Sequence, residues 1–116
     1  MGLQQNTGKQ GEALAQSFLE RKGYTRLAAN FRHGKGEIDL IMRDPTQALV
    51  FVEVKGRKDD QYGHPESFVS KAQKAQIRRA AEGYMDKFGW QMRIRFDIVA
   101  ILWVQPPEIT HFEDAF

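Results

Sequence analysis

Apolar and polar positions alternate in a way that divides the chain into a short series of elements. Over residues 11–22, Leu14, Ala15, Phe18 and Leu19 recur at helical spacing, and Gly23 follows as a stop, which predicts a first helix. Residues 24–32 predict a first strand with weak alternation, and His33-Gly34-Lys35-Gly36 a turn. Residues 37–43 alternate cleanly, residues 44–47 turn, and residues 48–57 are β-branched and strand-like. Residues 58–66 are polar, contain Gly63 and Pro65, and predict a loop. A second helix is expected over 67–88, with Val69, Ala72, Ile77, Ala80, Ala81, Tyr84 and Phe88 on one stripe and Gly89 as its end. Residues 90–104 predict a long apolar strand, Pro106-Pro107 a turn, and 108–112 a short edge strand. The order α-β-β-β-α-β-(β) predicts an α/β domain.

Length and composition narrow this picture. A chain of 116 residues fits one domain, expected over 8–116 behind a polar, flexible N-terminal stretch at 1–7. Hydrophobic residues at 41% can supply a modest core. The chain has no cysteine, which excludes a disulfide framework, a thiolate metal site and a cysteine nucleophile. No apolar run approaches the ~20 residues that span a bilayer, and the first residues lack the apolar core of a signal peptide. A cytoplasmic protein is expected. A net charge of +2 is too small to indicate nucleic acid by itself, so the placement of the charges must decide.

That placement is most informative over residues 37–57. On a strand, residues two apart share a face. Glu37 and Asp39 therefore share a face of their strand, and Glu53 and Lys55 likewise share a face of theirs. If the two strands form an antiparallel hairpin symmetric about Thr46, Asp39 lies opposite Glu53, and Glu37 opposite Lys55. Opposed carboxylates weaken a sheet, and a divalent cation between them removes the penalty. Magnesium suits two carboxylates, since it prefers oxygen ligands and keeps several waters. A bound water can serve as nucleophile on a phosphodiester, and Lys55 can orient it or stabilise the transition state. The competing reading is a solvated salt-bridge face, with Glu37 paired to Lys55 and Asp39 diagonally to Arg57. Spacing alone divides the two readings about evenly, and the like-charge pair tips the balance towards chemistry.

Other residues are less distinctive. Glu12 stands at the edge of the first helix's apolar stripe, where it can face the hairpin, although an acid early in a helix is also favoured by the helix dipole. Lys71, Lys74 and Arg78, with Arg79, form a ridge on the second helix able to contact phosphates or simply to meet water. Asp97, within the apolar strand, needs a partner if buried. Arg93 and Arg95 share its face, so a structural ion pair is expected. His33, His64 and His111 show no ligand spacing and are expected on the surface or in loops. Nothing arranges a base for Ser70. Trp103 is expected in the core rather than at a dimer contact.

The chain resembles the UPF0102 (YraN-like) family of small bacterial proteins. The resemblance rests on Gly11-Glu12, Ala15, Phe18-Leu19, Lys22-Gly23 and Asn30, then Gly36-Glu37-Ile38-Asp39-Leu40-Ile41 and Phe51-Val52-Glu53-Val54-Lys55 with Arg57. Tyr62-Gly63, Val69-Ser70, Ala81 and Arg95-Phe96-Asp97-Ile98-Val99-Ala100 continue it, so that it covers about residues 8–103. That family is similar to archaeal-type Holliday-junction resolvases of the PD-(D/E)xK nuclease superfamily. The resemblance implies a restriction-endonuclease-like core, a mixed sheet flanked by helices, with Mg2+ (or Mn2+ in its place) and a DNA substrate. It implies Asp39 and Glu53 as metal ligands, Lys55 as the catalytic lysine, Glu12 as an accessory acid and Glu37 as an acid at or just behind the metal. The family usually carries lysine where this chain has Gln73. Lys71 and Lys74 bracket that position, so the basic contact can be shifted to them rather than lost. Lys71, Lys74, Arg78, Arg57 and Gln73 are the expected nucleic-acid contacts.

Three functions remain in competition at this point. The first is a structure-selective endonuclease acting on branched or junction DNA, which as a junction cutter should form a homodimer. The second is a module that binds DNA, or RNA, without cutting it. The third is a protein-interaction domain whose charged hairpin is only structural.

Overall fold

The computed structural model describes residues 3–58 and 68–116, with side chains from Gly8 onward. Helix α1 (Leu3–Arg21) leads into β1 (Thr25–His33), β2 (Gly36–Arg43) and β3 (Leu49–Arg57), and α2 (Lys71–Phe88) is followed by β4 (Ile94–Leu102) and β5 (Glu108–Phe112). The five strands form one sheet in sequence order. The pairs β1–β2, β2–β3 and β4–β5 are antiparallel, while β3–β4 is parallel. A parallel pair needs a crossover, and α2 supplies it. The strands flanking that crossover are covered on both faces, so Leu49–Val52 and Ile98–Ile101 read as continuous apolar runs without alternation.

The helices lie on opposite faces. Ala15 and Leu19 of α1 bury against Leu40, Met42, Val50, Val52 and Val99, with Tyr24 beside them. Ile77, Ala80, Ala81 and Tyr84 of α2 bury against Ile38, Ile41, Leu49, Phe51 and Ile98 on the other face. The result is the α/β, mixed-sheet, helix-flanked order expected of a restriction-endonuclease-like core. Gly36 is required here: a Cβ would stand 2.3 Å from the Gln76 carbonyl oxygen, so the start of β2 is pressed against the backbone of α2.

Boundaries differ from the sequence pattern for local reasons. The backbone of α1 begins at Leu3, ahead of the apolar stripe; no proline interrupts residues 3–10, and the helix runs through the weak former Gly8. Ser70 caps α2, its Oγ accepting from the Gln73 N–H at 3.1 Å, and Gly89 closes it in the left-handed conformation at φ 64°. The expected helix start at residue 67, His64, Tyr62-Gly63 and most of the expected loop 58–66 lie outside the described residues. The long strand expected at 90–104 shortens to Ile94–Leu102, with the Trp90 N–H bonded back to the Met85 carbonyl. Among the described residues, no helix is long and apolar enough to cross a membrane.

Candidate active site

The hairpin register is the one that symmetry about Thr46 predicts: Leu40 pairs with Val52, Ile41 with Phe51, Met42 with Val50 and Arg43 with Leu49. Beyond Leu40 and Val52 the ladder stops. β2 stays with β1 as far as Gly36, and β3 stays with β4 as far as Arg57, so the sheet forks between them. Asp39 sits in the fork. Its Oδ2 accepts the Val54 N–H at 2.8 Å, replacing the ladder bond that the diverging strands no longer make. The strict alternation expected from Glu37 to Leu40 also breaks here, since Ile38 packs on the α2 side and Leu40 on the α1 side.

Glu53 comes to the same point from β3. Its residue is 7% exposed, and its carboxylate lies close enough to Asp39 for the two charges to repel. Burial first, then the Glu53 charge, pushes the Asp39 carboxyl up to about 7, with Glu12 and Glu37 adding to the negative field. Burial also raises Glu53, against the opposing pull of Lys55. The Lys55 ammonium lies 3.4 Å from Glu53 Oε2 and donates to Gln73 Oε1 at 3.4 Å. Gln73 Nε2 donates in turn to Glu53 Oε2 at 2.8 Å. One carboxamide from α2 therefore holds both the acid and the lysine of β3.

A cleft of about 410 Å³ is lined by Glu12, Asp39, Glu53, Arg57 and Trp103, with Gly11 and Gly56 in its wall. The structure thus brings Glu12 to the hairpin, where Asn30 Nδ2 donates to both of its oxygens at 3.1 and 3.2 Å. Lys55 does not line the cleft. Glu37 pairs with the exposed Arg32 at 3.5 Å rather than with Lys55. Of the expected nucleic-acid contacts, Arg57 lines the cleft with its guanidinium 3.6 Å from the centre of the Phe68 ring. Lys71 is exposed. Lys74 lies over Phe116 at 5.9 Å, and Arg78 over Phe96 and Phe116 at 5.6 and 5.7 Å.

The donor set fits a hard divalent cation. Among the described residues no three His, Asp or Glu side chains are drawn together closely enough to enclose a metal. An ion between Asp39 and Glu53 would therefore rest on two carboxylates and complete its shell with water and phosphate oxygens, the arrangement magnesium favours.

Sequence reasoning missed four things. Gln73, expected as a nucleic-acid contact, stands in a Ser-x-x-Gln capping-box pattern, and its carboxamide here turns to Glu53 and Lys55 instead. Asn30 adopts φ 52°, a conformation asparagine tolerates better than most residues, and this places it to orient Glu12. Trp103 lies at the cleft rather than in the core. His111, expected on the surface or in a loop, is on β5 with a side chain only 2% exposed; its Nε2 is 2.7 Å from Asp97 Oδ2 and its Nδ1 2.7 Å from Lys22 Nζ. The Asp97 ion pair expected from sequence is present with Arg95, at 2.8 and 2.9 Å, whereas Arg93 turns to Thr46.

The comparisons agree with the residue pattern. A family model described as "Uncharacterised protein family UPF0102" matches residues 11–101, a stretch that holds Glu12, Asp39, Glu53, Lys55 and Gln73. A UPF0102 protein of Cytophaga hutchinsonii is 46% identical over 100 residues, covering 86% of this chain and 88% of that protein. One from Shewanella sp. (strain ANA-3) is 44% identical over 109 residues, covering 94% and 97%. Another from Bifidobacterium longum (strain NCC 2705) is 37% identical over 113 residues, covering 94% and 91%. On these matches the chain belongs to the UPF0102 family.

Proposed function

We propose that the protein is a cytoplasmic, metal-dependent endonuclease that hydrolyses phosphodiester bonds in DNA, with a preference for branched or junction structures. The observation that carries this reading is that Asp39 and Glu53 line one cleft at the fork of the sheet, with Lys55 tied to Glu53. Two buried acids close together are costly unless something positive joins them; among the described residues Lys55 pairs with Glu53, and both carboxyls are still raised.

A magnesium ion held by Asp39 and Glu53 would supply a polarised water and a counter-charge for the phosphate. The chain's own groups prepare the rest. Val54 N–H fixes the Asp39 carboxylate through one oxygen and leaves the other to the cleft. Gln73 donates to Glu53 and accepts from Lys55, keeping the ammonium beside the Glu53 carboxylate. From there Lys55, on its flexible stem, can reach the attacking water or a phosphate oxygen. Glu12, oriented by Asn30, faces the cleft from α1 and can accept a proton from water on that side. Arg57, and on α2 the exposed Lys71, are placed to bind flanking phosphates.

The test is cleavage of labelled junction, flap, duplex and single-stranded DNA with Mg2+ or Mn2+ by the wild type, Asp39→Asn and Lys55→Ala. Cutting by the wild type alone supports the reading. Cutting that persists in both variants contradicts it, and metal-independent, salt-sensitive binding without turnover would favour a binding module on the same fold.

A further inference from the structure

Trp103 follows β4 and bonds its N–H to the Arg57 carbonyl at 2.8 Å, which carries the chain on beside the end of β3. Its indole is seated on backbone. A Cβ at Gly56 would stand 2.6 Å from the ring nitrogen, and one at Gly11 3.6 Å from Cζ2, so the ring packs against two residues that have no side chain. This seating fixes the ring in the wall of the cleft that also contains Asp39 and Glu53. The ring is half-buried, not enclosed. An apolar plane held in place beside a pair of acids is unusual for a site that needs only to grip a phosphate, because phosphate is recognised by cations and N–H groups.

We infer that Trp103 forms a stacking subsite for an unpaired nucleobase next to the scissile phosphate, so that the cleft takes single-stranded or branch-point nucleic acid rather than continuous duplex. This deepens the proposed function and rests on its nucleic-acid reading. A cleft of about 410 Å³ lies within the roughly 300–1,000 Å³ that houses a small ligand, which is room for one nucleotide unit and not for a base pair with both backbones. A paired base is already stacked within its helix and cannot present its face to Trp103. An unpaired base can, and stacking on an aromatic ring tolerates any base. The charges agree: Arg57 and Lys58 line the same cleft and can follow the backbone that carries the base.

The chain has two tryptophans, so Trp90→Phe leaves Trp103 as the sole indole reporter. In this background, with EDTA present to prevent cutting, a short oligothymidylate should quench Trp103 emission, and a blunt duplex of mixed sequence should not. Trp103→Leu should weaken oligothymidylate binding about tenfold and leave duplex binding unchanged, while Trp103→Phe should keep most of the affinity. Equal quenching by both nucleic acids, no quenching by either, or undiminished single-strand affinity in a folded Trp103→Leu protein would overturn the inference. If Trp103→Leu does not fold, the quenching and the Trp103→Phe affinity decide. Cutting without quenching refutes the subsite alone, whereas quenching without metal-dependent cutting refutes the nuclease and leaves the subsite standing.

Discussion

Asp97 and Glu53 lie one step apart along the parallel β3–β4 pair, yet their surroundings are opposite. Val52 pairs with Asp97, and Glu53 with Ile98, so the two acids face opposite sides of the sheet. Asp97, fully buried, is satisfied by Arg95 through two bonds, by His111, and by the Asp114 N–H at 3.0 Å. Arg95 also reaches Asp44 at 3.0 Å and the Tyr24 hydroxyl at 2.6 Å. These partners outweigh burial and hold the Asp97 carboxyl below its usual range. At Asp39 and Glu53 burial wins and both carboxyls are raised. Their neighbours on the chain are the further acids Glu12 and Glu37, a lysine paired with Glu53 and an amide. The contrast separates an acid neutralised by the protein from a pair that the protein leaves in its raised state, the pair to which the proposed function assigns a cation.

The largest test of this contrast is Arg95→Met. It strands Asp97 and Asp44 in the interior and should cost about 3–5 kcal/mol in urea unfolding. A loss below about 1 kcal/mol would mean that His111 and the backbone suffice, and that the two sites differ less than the geometry indicates.

Asp39→Asn should act in the other direction. In metal-free protein at pH 8 it removes an ionised group that burial disfavours, and should raise stability on the order of 2 kcal/mol. The pH dependence fixes the sign. Between the ordinary value of 3.8 and about 7, folded Asp39 holds a proton that the unfolded chain has lost. Stability of the wild type therefore falls as pH rises through that window. The gain from Asp39→Asn should be close to nil near pH 4 and full above pH 7. Asp97 behaves oppositely: its stability is present above 3.8 and lost as pH falls through its lowered value. Parallel unfolding curves for wild type and Asp39→Asn across this range would break the comparison.

Gln73→Leu sharpens it at smaller scale. Loss of the carboxamide should cost about 1 kcal/mol in stability. Its bond to Glu53 favours the charged carboxylate, so removing it should raise the Glu53 value further and move the midpoint of magnesium binding to higher pH. An unchanged midpoint would reduce Gln73 to a helix residue that merely touches the site.

Much of this was legible in the sequence. Thr46 as the centre of symmetry sets the register from Leu40–Val52 to Arg43–Leu49, because a short turn and alternating positions leave little freedom. The pairing of Arg95 with Asp97 follows from two residues on one face of one strand. What was not legible depends on contacts between distant segments. The fork beyond Leu40 arises because β2 follows β1 while β3 follows β4, a choice no local pattern encodes. His111 reaches Asp97 only through the β4–β5 register that sets it beside Val99. Trp103 read as core because its preceding strand is apolar; Gly11 and Gly56, far apart in sequence, together make its seat at the cleft.

The most direct test of the central claim is the shift in melting temperature on adding Mg2+ at pH 8, compared among wild type, Asp39→Asn and His111→Gln. The account predicts a concentration-dependent rise in wild type and His111→Gln that is absent in Asp39→Asn, because a cation joins only the unneutralised pair. No rise in the wild type, or an equal rise in Asp39→Asn, would contradict it.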